Sequence, residues 1–314
     1  MRNLLKPLPW TTDWEARWQE SRAVCGLLSC TAQKSVWHRM WRHNEGARLQ
    51  GIFYCRPQCL ETALIGQLLR LEAQAPSVLP PNRIPLGLLM VARGRLSYEQ
   101  VISALAAQQA ARSGKIGEWF EKLGFASEQE VTAALGLQWG CPVASSVDLV
   151  DIPPIAQIPL AMLETFHMLP LHYVPASKTL YLAFGERVDH AALYAIEKIL
   201  DCRTQPCVAG RKAIAQGLDR MRQQPRPSEV EFGPMRDPSE MGRVCGSYMA
   251  RLKAEDARVG RVGPLIWLRA NVRASHMNLL FRVRTDETHL PSAFNLPPGR
   301  GILTVSPAPP VVSA

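Results

Sequence analysis

Residues 86–108, LGLLMVARGRLSYEQVISALAAQ, recur thirty positions later at 116–138 as IGEWFEKLGFASEQEVTAALGLQ, with no gap between the copies' registers. Seven of the 23 paired positions are identical: Gly87/Gly117, Gly94/Gly124, Ser97/Ser127, Val101/Val131, Ala104/Ala134, Leu105/Leu135 and Gln108/Gln138. Those seven include glycines, a serine and a glutamine, so the repeated object is a specific local shape rather than a hydrophobic pattern. A short apolar turn (Leu88–Ala92, Trp119–Leu123) stops at Gly94 or Gly124, where a helix C-terminus takes positive φ. Ser97-x-x-Gln100 and Ser127-x-x-Glu130 both match a capping box. Val101, Ala104 and Leu105, like Val131, Ala134 and Leu135, have helical spacing, and Gln108 and Gln138 follow one turn later. Each copy predicts a short helix, a tight turn and a longer helix. The pair predicts a four-helix unit with pseudo-symmetry. Gly87 and Gly117, near a helix start, are read as leaving backbone amides open to an anion such as phosphate.

The doubled pattern LG-x6-G-x6-L/V-x3-L-x2-Q, followed by Trp139-Gly140-Cys141-Pro142, resembles the MshE-type N-terminal domain (GspE/PilB N-terminal domain) of type II secretion and type IV pilus assembly ATPases. Residues 160–210, LAMLETFHMLPLHYVPASKTLYLAFGERVDHAALYAIEKILDCRTQPCVAG, look like that family's second subdomain. There a helix leads to a Leu-Pro-Leu strand, a second strand, a helix and a further strand. The resemblance covers about residues 82–222. It implies a regulatory module, cyclic di-GMP as the ligand that some members bind, and a secretion or pilus machinery protein as partner. Carried over position by position, it implies Leu86, Gly87, Gly94, Gln108, Lys115, Gly117, Gly124 and Gln138 as ligand-binding residues.

One position departs from the family. Its copies usually open with a basic residue just before Leu-Gly, and that residue contacts the nucleotide. Copy two has Lys115 there; copy one has Pro85, and Arg83 and Arg93 are out of register. Losing a charge-assisted contact costs roughly 1.5–3 kcal/mol, about ten- to a hundredfold in affinity. Two functions therefore stay open. One is a receiver of cyclic di-GMP; the other is a protein-interaction adaptor that docks on a secretion or pilus component without nucleotide. The family's ATPases carry a phosphate loop, G-x4-G-K-[S/T], which this sequence lacks; Gly114-Lys115 is followed by Ile116. The roughly 90 residues after position 222 are too few for such a motor. The seven histidines (His38, His43, His167, His172, His190, His276, His289) show no Ser/His/Asp or metal-catalytic spacing. A non-enzyme is expected.

Four of the eight cysteines form a second constellation. Cys25-x4-Cys30 and Cys55-x3-Cys59 are two close pairs, 24 residues apart. Each pair fits a tight turn, and bringing the pairs together gives four thiolates around a structural zinc with no position left for water. Phe53-Tyr54-Cys55-Arg56-Pro57-Gln58-Cys59 is similar to the second knuckle of treble-clef-like fingers, in which an aromatic strand runs into the cysteines at a helix start. Leu60–Leu71 is the expected helix. His38 and His43 lie between the pairs and could replace a thiolate. The alternative is four reduced, buried thiols, but a unit of about 60 residues is marginal without a staple. Cys141, Cys202, Cys207 and Cys245 have no metal spacing.

The expected fold class is α+β, in several units. Residues 1–72 form a zinc-ribbon or treble-clef-like unit and 73–83 a linker. Residues 84–143 are the doubled helical subdomain and 144–222 a small α/β subdomain of the same domain. Residues 223–240 are a second linker, 241–290 a small α+β unit and 291–314 a disordered tail. In the α+β unit Met241–Lys253 reads as a helix, and Val262–Arg269 and Asn278–Arg284 as strands. Trp10, Trp14 and Trp18 stand at helical spacing, as a packing stripe. Of the 314 residues 47% are hydrophobic, enough for real cores; net charge is +9 and the isoelectric point about 9.3. The arginines are scattered rather than in a run, so nucleic-acid binding by the basic finger ranks third. MRNLLKPLPW lacks the apolar stretch of a signal peptide. No apolar run approaches a membrane span. A cytoplasmic location with reduced cysteines is expected.

Overall fold

A computed structural model of the chain describes residues 24–31, 46–73, 83–144, 152–153 and 156–283, apart from 227, 236 and 274. Trp10, Trp14, Trp18, His38, His43 and the tail 291–314 lie outside the described residues.

Each copy of the repeat is a helix pair. Copy one is α2 (Leu86–Ala92) and α3 (Tyr98–Ala111); copy two is α4 (Ile116–Lys122) and α5 (Glu128–Trp139). Both capping boxes form: the Ser97 hydroxyl accepts from the Gln100 amide and the Ser127 hydroxyl from the Glu130 amide. The short helices end alike as well. Gly94 (φ +67°) and Gly124 (φ +69°) take the left-handed conformation. Around them Arg95 N–H donates to Met90 C=O and Gly94 N–H to Val91 C=O; Phe125 and Gly124 do the same to Phe120 and Glu121. This is the double bond of a Schellman cap, twice. Leu86, Met90, Leu96, Val101, Ala104, Phe120, Val131 and Ala134 fill the subdomain's own core.

The next segment runs α6 (Leu160–Thr165), β3 (Met168–Val174), β4 (Thr179–Phe184), α7 (His190–Leu200), β5 (Arg203–Val208) and α8 (Arg211–Gln223). β3 and β4 pair antiparallel, and β4 and β5 pair parallel through the α7 crossover. The chain leaving α5 joins this sheet: Val208 N–H donates to Pro142 C=O at 2.9 Å and Ala144 N–H to Val208 C=O at 2.8 Å. The repeat and the α/β subdomain are thus joined by backbone as well as side chains.

The remaining elements form one six-stranded sheet from both ends of the sequence. β1 (Ala47–Leu49), β2 (Ile52–Tyr54) and α1 (Pro57–Ala73) come from the cysteine region. β6 (Glu229–Met235), α9 (Pro238–Leu252), β7 (Asp256–Val262), β8 (Leu265–Val272) and β9 (Ser275–Val283) follow the α/β subdomain. Strand order is β2-β1-β7-β8-β9-β6. β1 and β7 pair in parallel, Arg48 opposite Asp256 and Leu49 opposite Ala257, and the Gln50 side-chain Nε2 donates to Val259 C=O at 2.9 Å. α1 and α9 cover one face. They approach so closely that a Cβ on Gly242 would stand 2.4 Å from Ile65 Cγ1. Trp267, Leu265, Val262 and Leu280 on the other face join the α/β core. β8 is accordingly apolar almost throughout, as a strand covered on both faces must be.

Two sequence expectations are corrected here. The sequence predicts the cysteine region and the region after 241 as separate units, yet Cys25, Cys30, Cys59, Leu64, Met241, Cys245, Leu268 and Phe281 share one core. Residues 223–240, read as a linker, contain the end of α8, strand β6 and the start of α9. β6 keeps Pro234 because it is an edge strand and its register with β9 shifts between Phe232 and Pro234, where the missing N–H is not needed.

Candidate functional site

The doubled motif places its eight singled-out residues in four roles. Gly87 and Gly117 are buried. A Cβ on Gly87 would stand 2.9 Å from Val101 Cγ1, and one on Gly117 2.9 Å from Val131 Cγ1. The glycines let each short helix press onto the longer helix of its copy. They do not leave amides open to an anion, and that reading is corrected. Leu86 is buried in the same crossing, its Cδ2 3.5 Å from where a Gly117 Cβ would be. Gly94 and Gly124 form the far turns, exposed and with open space beside them.

The glutamines tie the copies together. Gln108 Nε2 donates to Gly114 C=O at 2.9 Å, and Gln138 Nε2 donates to Ile84 C=O at 2.7 Å. Gly114 and Ile84 are themselves thirty positions apart, so each copy's last glutamine holds the entry to the other copy's first helix. Lys115 and Pro85 are the N-caps of those helices. The Lys115 ammonium pairs with the Glu186 carboxylate in the loop after β4. Desolvation lowers its pKa, the nearby Arg211 and Arg187 add to that, and Glu118 opposes it. At the copy-one entry the charge comes from elsewhere: the Arg83 guanidinium lies 3.5 Å over the Trp139 ring and donates to Gln138 C=O at 2.8 Å.

Sequence spacing did not reveal the seam beside this site. Arg211, at the start of α8, reaches Glu118 at 2.5 Å and Glu121 at 3.4 Å. The Glu128 carboxylate accepts from the Lys212 amide at 2.9 Å, capping α8. Copy two is thereby fastened to the α/β subdomain through three acids that copy one lacks. A groove of about 420 Å³ runs along α8 between His167, Glu186, Ile214 and Leu218. At its edge Arg222 is already engaged by Glu164 at 2.6 Å and Asp219 at 2.8 Å.

Cys25, Cys30, Cys55 and Cys59 come together, all four Sγ atoms within 4.8 Å of one another. Cys30 Sγ is 3.5 Å from Cys55 Sγ and 3.7 Å from Cys59 Sγ. Zinc–sulfur bonds of about 2.3 Å in a tetrahedron set sulfurs about 3.8 Å apart, so the donor set fits that ion. Gly26 N–H donates to Phe53 C=O at 2.8 Å, hanging the first knuckle on β2. A Cβ there would stand 2.2 Å from Ile52 Cγ2, which requires glycine. Cys55 directly follows β2 and Cys59 sits in the first turn of α1. Burial, then the neighbouring cysteines, pushes the Cys59 thiol up to about 11 and the Cys55 thiol higher still. Thiols raised in this way ionise together only with a cation among them. Burial also raises Cys202 and Cys207 to about 11 and Cys245 to about 12, keeping them as unreactive thiols.

No family model matches the chain, and no curated protein matches it. Solved structures do. The structure of MshE with c-di-GMP is 27% identical over 44% of this chain and 99% of that one, with a TM-score of 0.37. This chain carries a domain similar to it. Two crystal forms of the XpsE N-terminal domain are 18% and 20% identical. They cover 43% and 42% of this chain and 92% and 90% of their own, with TM-scores of 0.31 and 0.28. Among the described residues no helix is long and apolar enough to cross a membrane.

Proposed function

We propose that the chain is a non-catalytic regulatory module of the cytoplasm whose doubled motif receives cyclic di-GMP. The observation that carries this reading is the reciprocal pair of glutamine bonds, Gln108 to Gly114 and Gln138 to Ile84. They make the two helix entries equivalent by a pseudo-twofold. Cyclic di-GMP is itself twofold symmetric, with two guanines and two phosphates, and a twofold ligand is matched by a twofold site. In this reading Lys115 gives the one in-register charge. Gln108 and Gln138 offer their remaining amide N–H and carbonyl, the exposed turns at Gly94 and Gly124 shape the surface, and Leu86, Gly87 and Gly117 hold the helix crossings beneath it. A structural zinc on Cys25, Cys30, Cys55 and Cys59 anchors the adjoining sheet.

Calorimetric titration of cyclic di-GMP into the full chain tests it. Micromolar or tighter binding is expected, weakened about ten- to a hundredfold by Lys115→Ala. Pro85→Lys, which restores the second charge, is expected to tighten it. No binding by the wild type at high micromolar ligand would sink the receiver reading. A second reading then takes over: an adaptor that docks on a secretion or pilus component without nucleotide. The uncharged Pro85 and the glutamine amides already spent on backbone favour it.

A further inference from the structure

The two copies of the repeat differ most on their outer faces. Copy two turns Glu118, Glu121, Glu128 and Thr132 to the α/β subdomain, where the acids meet Arg211 and Lys212 and Thr132 is buried. Thirty positions earlier stand Leu88, Val91, Tyr98 and Ile102. The copies share caps, glycine contacts and glutamine bonds, so these four occupy one contiguous face, as their counterparts do. Every acid of the docked face is apolar or aromatic on this one. Leu88 is 50% exposed, Tyr98 63% and Ile102 48%. Val91 packs partly into the repeat's own core, while Leu88, Tyr98 and Ile102 stay exposed among the described residues.

We propose that this copy-one face docks a second copy of the chain through the same face. This goes beyond the ligand reading and does not depend on it. The face is equivalent to one that already serves as an interface within the molecule. Its chemistry has been changed in the one way that permits self-association. A row of acids repels a second row of acids, whereas an apolar row packs against its own copy in a twofold contact. The rim carries both signs, Glu99 next to Tyr98 and Arg93 after α2, so that acid can meet base across the twofold; Arg95 is engaged by Glu130 of copy two at 3.5 Å. An acidic or basic partner would find no opposite charge in the centre of the face. A contact from one helix pair belongs at the small end of specific interfaces, below about 1,200 Å², which suits a reversible dimer.

The test is sedimentation of the full chain from about 1 to 100 µM, wild type against Leu88→Glu/Tyr98→Glu. Copy two carries glutamate at both matching positions, so the variant is built to fold, and unchanged helical circular dichroism checks it. The wild type is expected to move from monomer to dimer with concentration. The variant is expected to stay monomeric, its association weakened at least about tenfold. Added salt should shift the dimer little, because exposed rim pairs contribute little beside the apolar centre. A wild-type monomer at the highest concentration overturns the proposal. So does a dimer that survives both substitutions or dissolves in salt. A monomer that the double substitution destabilises would put a segment of the same chain on the face, and also overturns it.

Discussion

The repeat subdomain and the six-stranded sheet reach order by opposite routes. The repeat is held by short-range devices: two capping boxes, two Schellman turns and two glycine–valine contacts, each made within about 15 residues of sequence. The sheet is held by long-range ones: a parallel ladder between β1 and β7, a core shared by α1 and α9, and a cluster of four cysteines. A unit built from local devices keeps its shape when distant contacts fail. A unit built from distant contacts loses its shape when one anchor is removed.

Removing the zinc proposed for the four cysteines should therefore separate the two regions most sharply. A structural zinc accounts for about 10–16 kcal/mol of apparent folding free energy. Chelation, or Cys59→Ser, is expected to strip hydrogen-exchange protection from β1, β2 and α1 while α3 and α5 keep theirs. Uniform loss across both regions, or purified protein without zinc, would break the contrast. Next in size come Gly87→Val and Gly117→Val. Each forces a side chain into a stiff valine of the facing helix, at about 1–3 kcal/mol. Because both contacts measure 2.9 Å, urea unfolding should give similar losses; a large inequality would show that the pseudo-symmetry stops at the backbone.

Smaller still are the caps, Ser97→Ala and Ser127→Ala, at about 1 kcal/mol each. Thermal melts that give no loss for either would remove the caps from the local devices. The finest contrast is in pH. Copy two closes its capping box with Glu130 and copy one with Gln100, which does not titrate. Hydrogen bonds from the Ser127 amide and hydroxyl hold the Glu130 carboxyl below its ordinary value. A group depressed in the folded state contributes above its unfolded pKa and loses that contribution as pH falls through the folded one. The start of α5 should therefore fray in acid before the start of α3. Amide exchange measured below about pH 4.5 decides it, and equal fraying would deny Glu130 its part.

The repeat was readable because its determinants lie inside one 60-residue window, where cap, turn and period agree. The cysteine cluster was readable because two tight turns with paired thiols leave few other uses. The β1–β7 pairing was not, since Leu49 and Ala257 are partners across more than two hundred residues and neither strand announces the other. The seam was hidden for the same reason: Arg211 and Glu118 look like ordinary surface charges until α8 is placed. The glycines at 87 and 117 misled in a different way. A glycine near a helix start suits an open anion site or a close helix crossing equally well, and only the packing of Val101 and Val131 decides between them. Pro234 misled because proline argues against a strand everywhere except at an edge or a bulge, and β6 has both.

The parallel ladder between β1 and β7 also sets an order in time. β1 and β2 leave the ribosome early, but β7 does not exist until residue 256 has been made. At about 5–20 residues per second that interval is roughly 10–40 s. Through it the cysteine knuckles wait with one strand edge open, while the repeat between them can already close.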